Sequence, residues 1–215
     1  MVAAISPSLP RRDAHAVAQL RAAATRAAPA VPAGDRMLAV AGPVGRLLPA
    51  GGLRRGCTVA LDGPPGTGST TVAFQLVAAT TSAGEWAAVV DPEATLGARA
   101  AAEAGVALER CAVVRRVPPD RWPAVVSALL DGVAFVAASV PPNLRPGDAR
   151  RLTARARERA TVLVALGSWP AEAALRIRTC GRDWEGLAAG EGLLTSAALD
   201  VHVEGTAVRT HAQAV

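Results

Sequence analysis

The segment that most constrains the fold of this chain is the glycine-rich octapeptide Gly63–Thr70. It reads Gly-Pro-Pro-Gly-Thr-Gly-Ser-Thr and follows the pattern G-x-x-x-x-G-K-[ST] of a phosphate-binding loop, except that Ser69 stands in the lysine position. The β-rich run Cys57–Asp62 precedes it, and a helical pattern over Ser69–Thr81 follows it. This strand–loop–helix context predicts a loop whose backbone amides could cradle an anion at a helix N-terminus.

The missing lysine removes the cation that such loops use to contact the β- and γ-phosphates. All 23 residues counted as Lys or Arg are arginines, so no other lysine can replace it. A lysine–phosphate pair near 4 Å is worth roughly 4 kcal/mol at an effective dielectric constant of about 20, which corresponds to about a thousandfold in affinity. Arg54 and Arg55 precede the strand and lie about 20 Å from the loop. We therefore expect neither to compensate.

The cysteines and histidines show no metal-ligand spacing along the sequence. They are Cys57, Cys111 and Cys180, and His15, His202 and His211. Scattered cysteines of this kind usually act as small apolar residues in a protein of the reducing cytoplasm. We therefore expect no structural metal. The N-terminal residues do not resemble a secretory signal, and no apolar run is long enough to span a membrane. We expect a cytoplasmic, nucleoid-associated protein.

The chain is basic, with a formal net charge of +5. Such a balance is typical of proteins that contact nucleic acid or acidic partner surfaces. The codon usage of a GC-rich genome would give the same Ala- and Arg-rich, lysine-free composition. Both interpretations stay open at this point.

The hydrophobic pattern predicts an α/β fold with a mostly parallel sheet covered by helices on both faces. Residues 1–36 form an N-terminal extension with an amphipathic helix at Arg11–Ala28, and residues 37–215 form the core. The predicted core strands are Cys57–Asp62, Trp86–Asp91, Ala112–Arg115, Val133–Val140 and Thr161–Leu166; the predicted helices are Ser69–Thr81, Ala94–Ala104, Pro123–Leu130 and Pro146–Arg159. Antiparallel strands are expected at Leu175–Thr179, Leu193–Glu204 and Ala207–Thr210.

The chain resembles the RecA recombinase core over roughly residues 38–210. The resemblance rests on Gly51-Gly52-Leu53-x-x-Gly56, the phosphate loop, Asp91-Pro92-Glu93, and the run from Gly97 to Val106. It implies a RecA-like P-loop fold with a nucleotide site made of the loop residues Gly63, Gly66, Thr67, Gly68, Ser69 and Thr70.

The resemblance also implies that most of the hydrolytic groups are missing. The threonine on the Mg²⁺ side and the glutamate that orients water match Thr70 and Glu93, which are retained. Ser69 stands at the position of the lysine, and Ala100 at that of the tyrosine that stacks on adenine. The acidic residue that ends the Walker B strand falls near Ala138, and the sensor of the γ-phosphate near Gly167-Ser168. Without charge positioned around the γ-phosphate, phosphoryl transfer is not expected. Glu93 is interpreted as vestigial, with no catalytic residue predicted and no cofactor beyond weak binding of Mg-ATP.

Two surface features are candidates for partner contact. Arg151, Arg155 and Arg159 recur on one helix face, either as a weak phosphate-binding stripe or as a solvated helix face. Trp184 lies in a Gly-rich stretch and would suit a partner anchor. The connections Val140–Thr161 and Gly167–Ala174 leave no room for long DNA-gripping loops, so strand exchange is not expected.

A short RecA-like core with these losses resembles the actinobacterial ImuA-prime family, accessory proteins of SOS-induced mutagenesis. The resemblance implies a non-enzymatic adaptor in translesion DNA synthesis. Its partners would be an ImuB-like inactive Y-family polymerase and, indirectly, a DnaE-type error-prone polymerase. Two alternatives stay open: a RecA paralogue in DNA repair that binds ATP weakly through Thr70 and Glu93, and a SulA-like division inhibitor.

Overall fold

The computed structural model describes residues 37–188, 191–205 and 208–214, with side chains at 37–184, 186 and 198–205. The predicted helix Arg11–Ala28, and with it the extension over residues 1–36, lies outside the described residues. The described helices are α1 (Gly42–Leu47), α2 (Ser69–Ser82), α3 (Ala98–Glu103), α4 (Trp122–Leu130) and α5 (Pro146–Arg159). None of them has the length and hydrophobicity that crossing a membrane requires.

An eight-stranded sheet forms the centre of the molecule, in the order β10-β9-β8-β3-β7-β6-β4-β5. Its strands are β3 (Thr58–Asp62), β4 (Ala87–Asp91), β5 (Cys111–Arg115), β6 (Phe135–Ser139), β7 (Val162–Leu166), β8 (Leu175–Ala188), β9 (Glu191–Gly205) and β10 (Val208–Ala214). The pairings from β8 across to β5 are parallel, whereas β8–β9 and β9–β10 are antiparallel. Two further strands, β1 (Met37–Ala39) and β2 (Gly52–Arg54), pair antiparallel in a small separate sheet.

Side-chain alternation along the strands divides the core into two layers, one on each face of the sheet. Val59 and Leu61 of β3 point to the layer that packs under α1 and α2. Ala60 of the same strand points to the other layer, which packs under α4 and α5 and contains Trp122. Burial of apolar side chains on both faces is the arrangement that parallel sheets require. The predicted α/β fold class, a mostly parallel sheet with helices on both faces, is therefore confirmed.

The predicted helix Ala94–Ala104 is shorter than expected, because α3 begins only at Ala98. The carboxylate of Asp91, which is 1% exposed, accepts hydrogen bonds from the backbone N–H of Thr95 (3.1 Å) and of Leu96 (2.9 Å). Ala94 also adopts a positive φ of 56°. The buried carboxylate thus holds the chain in a turn where helical propensity alone would have continued the helix.

The largest difference from the sequence prediction is the length of β8. The strand was expected to end at Thr179, and the Gly-rich segment around Trp184 was expected to be a loop. Instead, β8 continues to Ala188 and pairs with β9, with irregularities in register at Thr179/Gly181 and Glu185/Leu187. Because β8 is parallel to its neighbour β3, its second half extends past the edge of the sheet where β3 ends. The hairpin β8–β9 therefore stands beside the phosphate loop.

Candidate functional site

The phosphate loop connects β3 to α2 at the carboxyl edge of the parallel strands, as the motif requires. Gly66 and Gly68 have φ values of +85° and +97°, a left-handed conformation that glycine adopts without steric cost. Gly68 is the N-cap of α2, and its carbonyl accepts the first helical hydrogen bond from the N–H of Val72 (3.0 Å). The preceding amides of the first turn are left without intrahelical acceptors. These are the amides that the predicted anion cradle would use.

The two hydroxyl residues at the start of α2 lie where the motif places them. Ser69 is the first residue of the helix and is half-buried, and Thr70 is second and exposed. No acidic residue lies in this first turn. A phosphate group would therefore find N–H donors, hydroxyl groups and the positive end of the helix dipole, but not the charge of a lysine.

The Walker B and sensor positions that the resemblance implies also carry no charged side chain. Ala138, at the Walker B position near the end of β6, is fully buried. Gly167 and Ser168, at the sensor position, follow β7 directly. Glu93 is exposed in the loop after β4, three strands along the sheet from β3. The residues present thus fit phosphate oxygens, but they do not fit the charged site that hydrolysis of Mg-ATP requires.

The hairpin β8–β9 packs directly against the phosphate loop. The Thr67 hydroxyl donates to the carbonyl oxygen of Pro64 (2.7 Å) and lies 2.7 Å from the Thr179 hydroxyl of β8. A Cβ atom added at Gly63 would lie 2.5 Å from the carbonyl oxygen of Thr179, closer than any real contact. Side-chain atoms of Leu199, from β9, occupy the space beside Gly68. The loop is therefore held in shape by the hairpin.

Sequence reasoning missed a cation that lies beside the phosphate loop. Arg182 of β8 donates from Nη2 to the Thr71 hydroxyl in the first turn of α2 (2.7 Å). The same nitrogen lies 3.1 Å from the position of a Cβ built on Gly68. Its guanidinium carbon lies 4.9 Å from the centre of the Trp184 ring, within cation–π range. Extending the predicted strand Leu175–Thr179 past the sheet edge would have placed Arg182 here.

We expect Arg182→Met to lower the free energy of unfolding by about 1.5–3 kcal/mol, because it removes a charged, partly buried hydrogen bond to Thr71. Methionine keeps most of the aliphatic packing. The matched control is Arg178→Met on the same strand, because its ion pair to Asp62 (3.1 Å) is solvent-exposed and such pairs contribute little to stability. Urea unfolding measures both. Equal losses would show that the contact between the hairpin and α2 does not stabilise the fold.

The arginines of α5 are paired with acidic groups rather than forming a uniform cationic stripe. Arg155 makes a two-pronged contact with Asp131 (2.6 and 2.7 Å), and Arg159 reaches the same carboxylate at 3.1 Å. The hydrogen bond from Arg155 lowers the pKa of Asp131, and the charges of both arginines act in the same direction. Arg151 lies 3.3 Å from Asp148. These pairs reduce the charge available to phosphates on this face.

Three of the four tryptophans differ sharply in exposure. Trp122 and Trp169 are buried, at 0% and 4% exposure, whereas Trp184 is 50% exposed. The first two pack in the core. Trp184 thus has the exposure that a partner anchor needs, and it lies on the hairpin beside the phosphate loop.

The structure brings together side chains that are scattered in the sequence. Cys180, Asp200 and His202 each offer a ligand atom, and these atoms all lie within 4.8 Å of one another. Neither the cysteines nor the histidines cluster along the chain, so the sequence predicts no metal site. In three dimensions Cys180 and His202 are neighbours on adjacent strands.

Comparison with known proteins supports the fold and defines the family. No curated protein matches this sequence. A solved KaiC-like protein from the hyperthermophilic archaeon Pyrococcus horikoshii OT3 is similar in structure, with a TM-score of 0.58 and 18% identity over 83% of this chain and 92% of that chain. At this identity the similarity shows a RecA-like fold. A family model described as the MT3502 N-terminal domain matches residues 46–171, more than half of the sequence. The chain belongs to the MT3502 N-terminal domain family.

Proposed function

We propose that this chain is a non-catalytic RecA-like adaptor in damage-induced mutagenic translesion DNA synthesis, and that it binds an inactive Y-family polymerase. The non-catalytic part of this proposal is supported by the absence of two charged side chains at the nucleotide site. Ser69 replaces the lysine, and Ala138 replaces the Walker B carboxylate. The assignment to translesion synthesis rests on the resemblance to the ImuA-prime family.

The contacts around the loop are consistent with a scaffold rather than an enzyme. Thr67, whose hydroxyl belongs to the loop, is engaged by Pro64 and by Thr179. The guanidinium of Arg182 is engaged by Thr71. Polar groups that an ATPase would direct at nucleotide are used here to join the hairpin to the loop. A scaffold needs such internal contacts because its function depends on a fixed surface.

The described surface also favours a protein partner over autonomous DNA binding. Arg155 and Arg159 share Asp131, so their charge is partly neutralised. Trp184 supplies a large exposed apolar surface, of the kind enriched at interface hot spots. An interface anchored by Trp184 is therefore a concrete form of the adaptor proposal.

Co-purification with an ImuB-like protein tests the adaptor function. We expect the full 215-residue chain to retain that partner, and Trp184→Ala to weaken binding by at least about 2 kcal/mol, or about thirtyfold. Val113→Ala is the matched control, because Val113 is 49% exposed on the edge strand β5. Absence of a complex with both termini intact contradicts the adaptor function. Equal effects of the two substitutions contradict only the role of Trp184.

One observation favours a second candidate, the RecA paralogue that binds ATP weakly. Arg182 places a guanidinium beside the first turn of α2, where helix dipole and amides already attract anions. This cation could supply part of the charge that Ser69 lacks.

Titration with Mg-ATP by calorimetry separates the two candidates. For the adaptor we expect a millimolar dissociation constant or no measurable heat, because the lysine and the Walker B carboxylate are absent. Arg182→Met serves as the internal control. A micromolar dissociation constant that rises on this substitution would establish the nucleotide-binding paralogue instead.

A further inference from the structure

The outer face of the hairpin β8–β9 carries a group of side chains that the proposed function does not use. Along β8, Leu175, Ile177 and Thr179 are buried, and the intervening residues are exposed. Along β9, Leu199, Val201 and Val203 are buried, and Asp200 and His202 alternate with them. Because side chains of a strand alternate between its faces, Cys180, Asp200 and His202 share the outward face.

An irregularity in the strand pairing brings these residues together. Thr179 pairs with Val201, whereas Gly181 pairs with Asp200, so Cys180 has no partner of its own in the ladder. Such a bulge leaves one residue unpaired and redirects its side chain. Cys180 thereby lies between Asp200 and His202. The cluster consequently depends on the bulge and not on sequence spacing.

We infer that Cys180, Asp200 and His202 form a binding site for a divalent transition-metal ion, with Zn²⁺ as the best match. The thiolate sulfur, carboxylate oxygen and imidazole nitrogen all lie within 4.8 Å of one another, and the Nε2 atom of His202 lies 3.9 Å from an Asp200 oxygen. Tetrahedral zinc sites with bonds of about 2.0–2.3 Å place ligand atoms roughly 3.3–3.7 Å apart.

The chemistry of the three donors favours zinc over the hard cations. Mg²⁺ and Ca²⁺ require oxygen ligands, and this site offers only one carboxylate. Thiolate and imidazole are donors that zinc prefers. A thiolate and a carboxylate carry two negative charges, which match the charge of the ion. The neighbouring cation Arg178 is directed to Asp62, with Nε 3.1 Å from Oδ1, so its charge is balanced locally.

The three protein ligands leave the fourth coordination position to a water molecule. Three protein ligands with an open fourth position are typical of exchangeable or catalytic zinc sites, whereas closed structural sites have four. We therefore expect an exchangeable ion.

The other two cysteines are poor competitors for the ion. Burial raises the pKa of the Cys57 thiol to about 11 and also raises the pKa of Cys111. Only the thiolate binds metal, so both groups are less available than an exposed cysteine. Cys111, which is half-buried on β5, is the matched control for Cys180.

A bound ion would act on the hairpin beside the phosphate loop. It would join β8 to β9 at the bulge, one residue beyond Thr179 and two before Arg182. Both of these residues contact the loop or the start of α2. The site thus goes beyond the adaptor proposal, because it concerns the stability of the surface that Trp184 belongs to.

Titration of the tag-free, reduced full-length chain with Co²⁺ and then Zn²⁺ tests the site. We expect one Co²⁺ per chain, a thiolate-to-cobalt charge-transfer band, intense visible bands of tetrahedral cobalt, and their loss when zinc displaces the ion. Zinc at a hundredfold above its dissociation constant should raise the melting temperature by about 5–10 °C, and EDTA should reverse this shift.

Three variants determine whether these side chains are the ligands. Cys180→Ser and His202→Gln should each weaken binding by about a hundredfold or more, since even outer partners of metal ligands contribute 10–100-fold. Cys111→Ser should leave the spectrum unchanged. Circular dichroism without metal shows that the variants are folded. Failure of the chain to bind either ion, or an unchanged charge-transfer band in Cys180→Ser, would overturn the inference, as would an equal loss in Cys111→Ser.

Discussion

A lysine introduced at position 69 is expected to tighten Mg-ATP binding by up to about a thousandfold, without producing turnover. The gain follows from one lysine–phosphate pair, roughly 4 kcal/mol at an effective dielectric constant of about 20. Turnover stays absent because Ala138 supplies no carboxylate, and Gly167-Ser168 no sensor amide. Calorimetry measures the affinity, and release of inorganic phosphate measures the turnover.

Ser69→Met is the matched control, since it adds a chain of similar length without the charge. It should leave the affinity for Mg-ATP unchanged. If Ser69→Lys binds no better than the methionine variant, the loop does not form a phosphate cradle. If Ser69→Lys hydrolyses ATP, then Glu93 and Thr70 suffice for catalysis, and the chain is one substitution from an ATPase.

Replacement of Trp122 by alanine should cost about 3–5 kcal/mol of the free energy of unfolding. Trp122 begins α4, is completely buried, and packs with Leu152 of α5 and Leu163 of β7 in the same core layer. Few neighbours can move into the space, because they belong to the sheet and to a second helix. Urea unfolding followed by circular dichroism measures the loss.

Trp122→Phe separates the contribution of the apolar ring volume to stability from that of the indole N–H. The indole N–H of Trp122 is buried and has no hydrogen-bond partner among the described residues. Phenylalanine keeps most of the apolar volume and removes an unsatisfied donor that itself costs about 1–3 kcal/mol. We therefore expect Trp122→Phe to cost less than half as much as Trp122→Ala. Equal losses would mean that the full indole shape fixes the packing of α4 on α5.

The regular part of the fold could be predicted from the sequence because local pattern and tertiary structure agree there. The helix Pro146–Arg159 has the same bounds in the structure as in the prediction. Proline at its first position and a regular apolar face set its limits. The parallel strands β3 to β7 were predicted within two residues at each end, since buried strands have continuous apolar runs.

The second half of β8 could not be predicted in this way. Between Gly181 and Gly186 the segment contains three charged residues and one tryptophan, so no apolar period marks a strand. Pairing with β9 supplies the backbone hydrogen bonds instead. The position of Arg182 beside Thr71, and the group of Cys180 with His202, both depend on that pairing. For the same reason, the sequence predicted the phosphate loop but not the residues of the hairpin that lie beside it.

The crowding at Gly63 bears on how the motif itself should be interpreted. A side chain there would collide with the Thr179 carbonyl oxygen, and Gly66 and Gly68 are held at backbone angles that favour glycine. Selection for a folded chain alone would thus retain all three glycines, whether or not nucleotide binds. In a loop built this way, a glycine signature records the geometry of a strand-to-helix turn. The lysine is the residue that reports on the ligand.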